Sequence, residues 1–338
     1  MKAVGFTRSL PATDPQSLID FQSDVPAPTG TDLLVEVRAV SVNPVDYRVR
    51  RDMGPGNFGT RVLGYDAAGV VSAVGSGCTL FKPGDAVWYA GELMRQGSNS
   101  QFHLVDERLV GPKPASLSWA DAAALPLTFI TAWEGLFEQL RVRRDGSDSG
   151  KSLLILGGAG GVGSILIQLA RDVGLQVIAT ASRPQSVAQC ERYGAHRVID
   201  HGGDIKAQLA AAGHKSVDLI FSCAELDGYF QLATELLAPF GSLCTIVAPN
   251  KPVDLGLFKV KALRYAHEFM FTRGMFRTAD MIEQHRLLKA GAAMFDAGTL
   301  QGTRSATLGP INAANLRAAH VQLETTHTLG KLVLEGWD

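Results

Sequence analysis

The period of hydrophobic and polar positions changes along the chain and divides it into two parts. Up to about residue 125, short β-branched runs alternate with glycines and prolines, which is typical of strands joined by turns. The runs cover 33–40, 68–74, 86–90 and 102–105. They predict a compact β domain. Over 117–140 the apolar residues recur every three or four positions, so we expect helices there and a domain boundary near 125.

From Lys151 onwards, apolar strands alternate with helical segments. Strands are predicted at 153–156, 177–180, 197–199, 217–222 and 243–247. Helices are predicted at 165–173, 187–193, 205–212 and 230–237. Because neighbouring parallel strands need crossover helices between them, this alternation predicts a doubly wound parallel sheet, and the fold class is α/β.

The alternation stops after Ala248, and the rest of the chain has a different pattern. A long helix is expected near 280–292, and 330–335 resembles one more strand, which suits a chain that returns to its first domain. We therefore expect a β domain over 1–125 that is completed by 266–338, and an α/β domain over 126–265.

The composition limits the kinds of molecule that the protein is expected to bind. The chain has 338 residues, of which 46% are hydrophobic and 19% are charged, with 32 basic residues against 33 acidic ones. This balance gives no overall field that would attract nucleic acid or anionic lipid. No stretch approaches the ~20 apolar residues of a membrane span and no export signal is recognisable, so we expect a cytoplasmic protein. The four cysteines lie too far apart to indicate a disulfide framework or a metal knuckle.

A glycine-rich turn between an apolar strand and an apolar helix is the strongest chemical signal. Its residues are Gly158, Ala159, Gly160, Gly161, Val162 and Gly163. The Gly-x-Gly-x-x-Gly spacing allows a tight turn, close approach of the backbone to a pyrophosphate, and close packing of the helix on the sheet. The helix N-terminus then offers free N–H groups to the phosphates. We predict a dinucleotide; a flavin is the main competitor, although its turn usually lies near the N-terminus.

The residues after the second strand of this domain indicate which dinucleotide binds. An NAD enzyme places an acid there to bind the ribose 2′-OH, whereas this chain has Ser182 and Arg183. A hydroxyl and a guanidinium suit a 2′-phosphate, which favours NADPH. The alternative is that Arg183 only begins a solvated helix.

Five motifs, read in order, resemble those of the medium-chain dehydrogenase/reductase superfamily, and specifically its zinc-free quinone oxidoreductase (zeta-crystallin-like) branch. The motifs are 42–47, 63–71, 81–87, 123–128 and the glycine turn. The resemblance covers essentially the whole chain. It implies a GroES-like β domain together with a Rossmann domain.

The zinc ligands of the metal-dependent relatives are missing. The matching positions hold Asn43, Tyr65 and Asp66, and no cysteine occurs between Cys78 and Cys190. A catalytic zinc needs three protein ligands, normally His, Cys or carboxylate. We therefore expect no metal, and no structural zinc either, because that site requires a closely spaced cysteine cluster.

The resemblance also implies roles near the cofactor. It places Asn43, Asp46 and Tyr47 beside the nicotinamide. Tyr47 would either donate a proton or only fill the floor of the pocket. Asn43 would orient Tyr47 or the nicotinamide ribose. Asp46 would take part in the catalytic site or only cap a helix. Thr128 would bind the carboxamide or ribose, or serve as a helix N-cap. Weaker cofactor contacts are implied for His201, Cys223, Val247 and Ala248, and Tyr89 and Met94 are expected to line the substrate cleft.

Three functions stay open on these grounds. The first is an NADPH-dependent reductase that transfers hydride to a quinone or an α,β-unsaturated carbonyl, since such acceptors spread the developing charge without a metal. The second is a zinc-type alcohol dehydrogenase. The third is a non-catalytic NADPH-binding protein with a structural or RNA-binding role, for which a local basic patch at Lys251, Lys259, Lys261 and Arg264 is the available surface. An edge strand at 265–271, pairing across a two-fold axis, would suit a homodimer.

Overall fold

A computed structural model describes all residues from Met1 to Asp338. Its strands, in chain order, are β1 (Lys2–Phe6), β2 (Ile19–Gln22), β3 (Asp32–Val42), β4 (Arg61–Val62), β5 (Ala67–Val74), β6 (Ala86–Tyr89), β7 (Phe102–Asp106), β8 (Val110–Pro112), β9 (Ser152–Leu156), β10 (Gln176–Thr180), β11 (Arg197–Ile199), β12 (Val217–Ser222), β13 (Leu237–Thr245), β14 (Arg264–His267), β15 (Arg304–Thr307) and β16 (Lys331–Glu335).

Helices connect most of these strands. They are α1 (Pro44–Arg48), α2 (Trp119–Ala123), α3 (Pro126–Trp133), α4 (Gly161–Asp172), α5 (Pro184–Arg192), α6 (Ile205–Ala211), α7 (Phe230–Leu236), α8 (Thr272–Phe276), α9 (Ile282–Asp296) and α10 (Ala313–Glu324). The residues after α1 and after α3 continue as π-helical turns, at Val49–Met53 and Glu134–Gln139. None of these helices is long and apolar enough to cross a membrane.

The chain divides into two compact units. The first comprises residues 1–127 and 271–338, and the second comprises residues 128–270. The sequence-based boundaries were 125/126 and 265/266.

The first unit is built on β-sheets. Strands β15, β16, β3, β5, β6 and β8 follow one another in a sheet to which β7 is added by pairing with β3, and β2, β1 and β4 form a smaller sheet. The last strand returns to the first unit, because β16 pairs antiparallel with β3 and sets Val333 opposite Ser41. Four of the five residues of β16 are buried, as expected for a strand inside the sheet.

The second unit is a doubly wound parallel sheet, as predicted. Its strand order is β11-β10-β9-β12-β13-β14, and every neighbouring pair is parallel. The chain begins in the middle at β9 and moves outward first to one side and then to the other, so the carboxyl ends of β9 and β12 form a topological switch point, where such sheets bind ligands. Several boundaries differ: β13 covers Leu237–Thr245 instead of 243–247, so it starts six residues earlier and ends two residues earlier than predicted, and α4 begins at Gly161 instead of 165.

Candidate functional site

The glycine turn lies at the switch point, between the end of β9 and the start of α4. Gly157 has a φ of +84°, a conformation that side chains rarely adopt, and its N–H donates to the Thr180 Oγ1 at 2.9 Å. Gly160 is the N-cap of α4 and supplies no side-chain cap. The first N–H groups of α4 are therefore available to a bound anion.

Packing within the protein requires glycine at two of the three motif positions, whereas the third position has space for a side chain. A Cβ on Gly158 would lie 2.7 Å from the Ala179 Cβ, and a Cβ on Gly163 would lie 2.5 Å from the Gly157 carbonyl oxygen. Both distances are too short for real contacts. A Cβ on Gly160, in contrast, would meet only the Gly157 oxygen at 3.7 Å. Packing within the protein does not require a glycine at 160, which fits a position kept bare for a phosphate.

The end of β10 brings together two of the predicted cofactor residues. The Ser182 Oγ and the His201 Nε2 are 3.3 Å apart, and both residues are exposed. Arg183 follows directly as the N-cap of α5. A hydroxyl, an imidazole and a guanidinium thus stand after adjacent strands β10 and β11, where a 2′-phosphate would be recognised.

The other predicted cofactor residues lie at the same edge of the sheet. Cys223 follows β12, donates its N–H to the Leu156 oxygen at 2.9 Å, and has its thiol pKa raised to about 12 by burial. Val247 and Ala248 follow β13; the N–H of Val247 donates to the Thr245 Oγ1 at 3.2 Å. These positions fit a nicotinamide dinucleotide laid across the carboxyl ends of the strands.

In the first unit, a buried polar cluster surrounds Asp66. Its Oδ2 accepts hydrogen bonds from the Ser41 Oγ at 2.8 Å, the Asn43 Nδ2 at 2.7 Å and the Lys331 Nζ at 2.9 Å, and its Oδ1 accepts from the Leu127 N–H at 2.7 Å. The Lys331 ammonium also donates to the Asn43 Oδ1 and to the Val42 carbonyl. Every charged atom of this pair therefore has partners, which a buried ion pair requires.

Asp46 performs the capping role that was one of its two predicted roles. Its Oδ2 accepts from the Asn43 N–H at 2.7 Å at the start of α1, and its Oδ1 accepts from the Gly64 N–H at 3.0 Å. Burial raises the pKa of this carboxyl to about 7, although the two N–H groups and Lys331 oppose the shift.

The other three predicted catalytic residues are all buried: Asn43, Tyr47 and Thr128. The Asn43 side chain is held by Lys331 and Asp66. Tyr47 is buried in α1 with the Arg51 guanidinium 5.9 Å from its ring centre. Thr128 is buried at the third position of α3, so its alternative role as an N-cap is wrong. The catalytic roles of these residues stay predictions.

The residues at the relatives' zinc positions do not fit a metal ion. Asn43 offers an amide, both oxygens of Asp66 already accept hydrogen bonds, and Tyr65 is a phenol. The Lys331 ammonium already supplies the positive charge at Asp66. No group of three or more His, Cys, Asp or Glu side chains is placed to hold a metal in the described chain.

Sequence reasoning missed a buried pair of acids in the α/β unit. Glu134 lies in the π-helical turn after α3, and Glu268 follows β14; both are buried. Burial, followed by the charge and hydrogen bond of Glu134, raises the pKa of Glu268 to about 10. Glu268 stands alone as an acid within the aromatic stretch 265–271, which was the available signal.

Two expectations about other side chains need correction. Tyr89 does not line a cleft: it is fully buried, stacks on His103 and has its hydroxyl 3.1 Å from the His103 Nδ1. Lys261 is not part of a free basic surface, because its ammonium donates to the carbonyls of Thr234, Glu235 and Leu237 at the end of α7.

Comparison with known proteins agrees with this architecture. The alcohol dehydrogenase GroES-like domain matches residues 29–131, and the zinc-binding dehydrogenase domain matches residues 161–289. A zinc-type alcohol dehydrogenase-like protein of Staphylococcus aureus is 40% identical over 338 residues, which cover 99% of each chain. A solved structure from Rhizobium etli, assigned by name to the zinc-dependent alcohol dehydrogenases, is 51% identical with a TM-score of 0.96 over 100% of this chain and 98% of that one.

A further relative bears a different name. The quinone oxidoreductase of Rattus norvegicus is 34% identical over 212 residues, which cover 60% of this chain and 61% of the rat protein. The chain belongs to the medium-chain dehydrogenase/reductase superfamily, an oxidoreductase built from a GroES-like β domain and a Rossmann domain. Its relatives carry both the alcohol dehydrogenase-like and the quinone oxidoreductase names.

Proposed function

We propose that this protein is an NADPH-dependent reductase that transfers hydride to a quinone or an α,β-unsaturated carbonyl without a catalytic metal. The observation that carries the proposal is the cluster around Asp66, in which the Lys331 ammonium, rather than a metal ion, neutralises the buried carboxylate. Oxidation of an ordinary alcohol depends on a group such as zinc to stabilise the alkoxide. A quinone or an enone delocalises the incoming charge itself, so hydrogen-bond donors are enough.

The cofactor preference rests on the residues that follow β10 and β11. Bound NADPH supplies the hydride. The open backbone at Gly160 and the N-terminus of α4 would hold the pyrophosphate. Ser182, Arg183 and His201 would hold the 2′-phosphate, and no acid stands at the end of β10 to repel it.

Residues of the first unit would donate the proton that the reduced acceptor takes up. Hydride transfer leaves the acceptor as an anion that takes up one proton, on the oxygen of a quinol or on the α-carbon of an enolate, and Tyr47 is the donor that the family resemblance implies. The hydrogen bond from the Asn43 N–H to Asp46 fixes the start of α1, the five-residue helix that carries Tyr47. Asn43 and Asp46 would thus position Tyr47 through the helix rather than through direct contact.

The rat quinone oxidoreductase supports the substrate class, and the alcohol dehydrogenase names of other relatives support the competing one. The edge position of β14 in its sheet supports a homodimer. We also expect the protein in the cytoplasm and acting on small molecules.

The test follows NADPH and then NADH by absorbance, using purified protein treated with a chelator and checked for bound metals by mass spectrometry. The acceptors are 1,4-benzoquinone, 9,10-phenanthrenequinone and a simple enone, and a simple alcohol is used in reverse. Chelator-resistant oxidation of NADPH with a quinone or an enone supports the proposal. Chelator-sensitive alcohol oxidation overturns it in favour of a zinc enzyme, and tight NADPH binding without turnover on any acceptor overturns it in favour of a binding protein.

A further inference from the structure

Tyr65 carries a hydroxyl that the fold buries without using. The side chain is 0% exposed, and its hydroxyl oxygen has no hydrogen-bond partner. Its charged neighbours are Asp46, whose charge raises its pKa, and Arg61, which lowers its pKa by charge and by a weak hydrogen-bond contact. An arginine can only donate hydrogen bonds, so Arg61 provides no acceptor for the Tyr65 proton. Buried polar groups of this kind are uncommon in folded proteins and call for a specific explanation.

Arg61, beside Tyr65, is also incompletely satisfied. It is 3% exposed, its Nη2 donates to the Leu93 carbonyl at 2.8 Å, and its Nη1 reaches the Gly54 carbonyl at 3.4 Å. Its Nε has no acceptor of normal hydrogen-bond geometry, although the guanidinium lies close enough to the Tyr65 hydroxyl to act on it, and no carboxylate forms an ion pair with it. The equally buried Arg50 shows the usual solution, since its guanidinium pairs with Glu324.

The two side chains lie against aromatic rings. The Phe271 ring meets Tyr65 edge-on, with the ring centres 5.3 Å apart, and the Arg61 guanidinium carbon is 5.6 Å from the centre of the Phe58 ring. Phe58 is 38% exposed whereas Arg61 is 3% exposed, so the ring is the part of this pair that reaches solvent. Aromatic walls with two unsatisfied donors suit a flat, conjugated molecule that carries an oxygen acceptor.

We propose that the Tyr65 hydroxyl and the Arg61 Nε–H together hold the carbonyl oxygen of the acceptor, with the Phe58 ring displaced to admit it. This inference rests on the proposed reductase function and adds the residues that bind the reacting oxygen. When hydride reaches the acceptor, negative charge develops on that oxygen. Two preorganised donors, one of them positively charged, then bind the product-like state more strongly than the neutral ketone.

The ionisation of Tyr65 suits this task. Burial, together with the Asp46 charge, raises the pKa of Tyr65 to about 12, so its hydroxyl stays protonated at neutral pH. A protonated phenol donates, whereas a phenolate would repel a developing oxyanion. The unpaired charge of Arg61 is likewise retained until an anionic oxygen arrives.

The test compares Tyr65→Phe and Arg61→Met with Tyr89→Phe, which removes another buried phenol from the same unit, one whose hydroxyl already has His103 as its partner. For Tyr65→Phe and Arg61→Met we expect kcat/KM with the quinone or enone to fall by roughly 10²–10³-fold, the usual effect of removing one oxyanion donor. The Kd for NADPH should stay unchanged in both. Tyr89→Phe should keep its turnover and lose thermal stability.

A second measurement does not depend on turnover. The holoprotein with NADP⁺ is titrated with 4-nitrophenol, whose absorption reports its ionisation. A donor pair with positive charge should bind the phenolate and lower the pKa of the bound probe, and this shift should disappear in Tyr65→Phe and in Arg61→Met. Because Phe is nearly isosteric with Tyr, Tyr65→Phe stays informative even if Arg61→Met does not fold.

The outcomes separate the two proposals. If wild type reduces no acceptor but shows the probe shift, and both variants lose that shift, the reductase function fails and the oxygen site stands. If wild type is an active reductase and Tyr65→Phe keeps both its kcat/KM and the probe shift, the oxygen site is wrong. A lower Tm of Tyr65→Phe with unchanged turnover would also overturn it, because the hydroxyl would then be structural.

Discussion

The ammonium of Lys331 lies 2.9 Å from the Oδ2 of Asp66, and both side chains are almost fully buried, at 4% and 0% exposure. The two residues are 265 positions apart in the sequence, and the pairing of β16 with β3 brings them together. The contact therefore joins the C-terminal strand to the residue just before β5 by charge, in addition to the backbone hydrogen bonds that hold β16 on β3.

Removing the Lys331 ammonium should strongly destabilise the folded protein. Lys331→Met leaves the Asp66 carboxylate buried without a counter-charge, so we expect the free energy of unfolding to fall by about 3–5 kcal/mol in chemical denaturation. Lys206→Met breaks an exposed pair with Glu235 and should cost less than about 1 kcal/mol. The double variant Lys331→Met/Asp66→Asn should recover part of the loss, and a loss no larger than that of the control would contradict the argument.

Glu268 should make stability depend on pH. Its pKa is raised to about 10 in the folded protein and lies near 4.5 when unfolded, so the folded state retains the proton. The stabilisation is complete below pH 4.5 and is lost as the pH rises towards 10, at up to about 1.4 kcal/mol per pH unit. Glu268→Gln should be more stable than wild type at pH 8, by a margin that grows with pH. Glu191→Gln, at an exposed position, should track wild type, and parallel curves for Glu268→Gln would disprove the shift.

Two substitutions in the glycine turn should separate folding from cofactor binding. In Gly160→Ala the added methyl contacts only one atom, at 3.7 Å, so the Tm should stay unchanged. The Kd for NADPH should rise at least about tenfold, because the methyl displaces the pyrophosphate. In Gly163→Ala the Cβ would lie 2.5 Å from a backbone oxygen, which should cost about 1–3 kcal/mol of stability. Calorimetry and NADPH fluorescence titration of both variants provide the check. Equal Tm values for the two would be incompatible with the packing described.

Arg183 should decide between the two nicotinamide cofactors. A charged hydrogen bond contributes about 1.5–3 kcal/mol, so Arg183→Ala should weaken NADPH binding by about 10–150-fold. The Kd for NADH should change by less than about twofold, because NADH lacks the 2′-phosphate. Fluorescence titration with both cofactors measures the ratio. A parallel loss for NADH would mean that Arg183 acts through the fold rather than through the phosphate.

Tyr47 should affect turnover rather than binding. If it donates the proton, Tyr47→Phe should lower kcat by about 10²–10⁴-fold with a quinone or an enone, while the Kd for NADPH stays the same. Stopped-flow measurement of NADPH oxidation gives kcat, and fluorescence titration gives the Kd. An unchanged kcat would leave Tyr47 as a buried aromatic that packs within the unit, which is the alternative that the sequence also allowed.

The sequence by itself determined the parts of this protein that depend on neighbouring residues. The strand, glycine turn and helix at 152–172 lie within one short segment, so their hydrophobic period and glycine spacing predicted both the local structure and a dinucleotide. The strand pattern at 330–335 and the strand–helix alternation of the doubly wound sheet were predictable for the same reason. The residue types at 43 and 65 are the basis for expecting no zinc, and that expectation stays a prediction.

Only the tertiary structure decided which distant side chains meet. In the sequence, Lys331 is a single lysine at the start of an apolar strand and Glu268 is a single acid in an aromatic stretch. In the fold, strand register places Lys331 beside Asp66. The turn after α3 brings Glu134 close to Glu268. The unsatisfied donors of Tyr65 and Arg61 are likewise visible only once all their neighbours are known. Hydrophobic periodicity reports local conformation and burial, whereas the pairing of buried polar groups depends on register and topology across the whole chain.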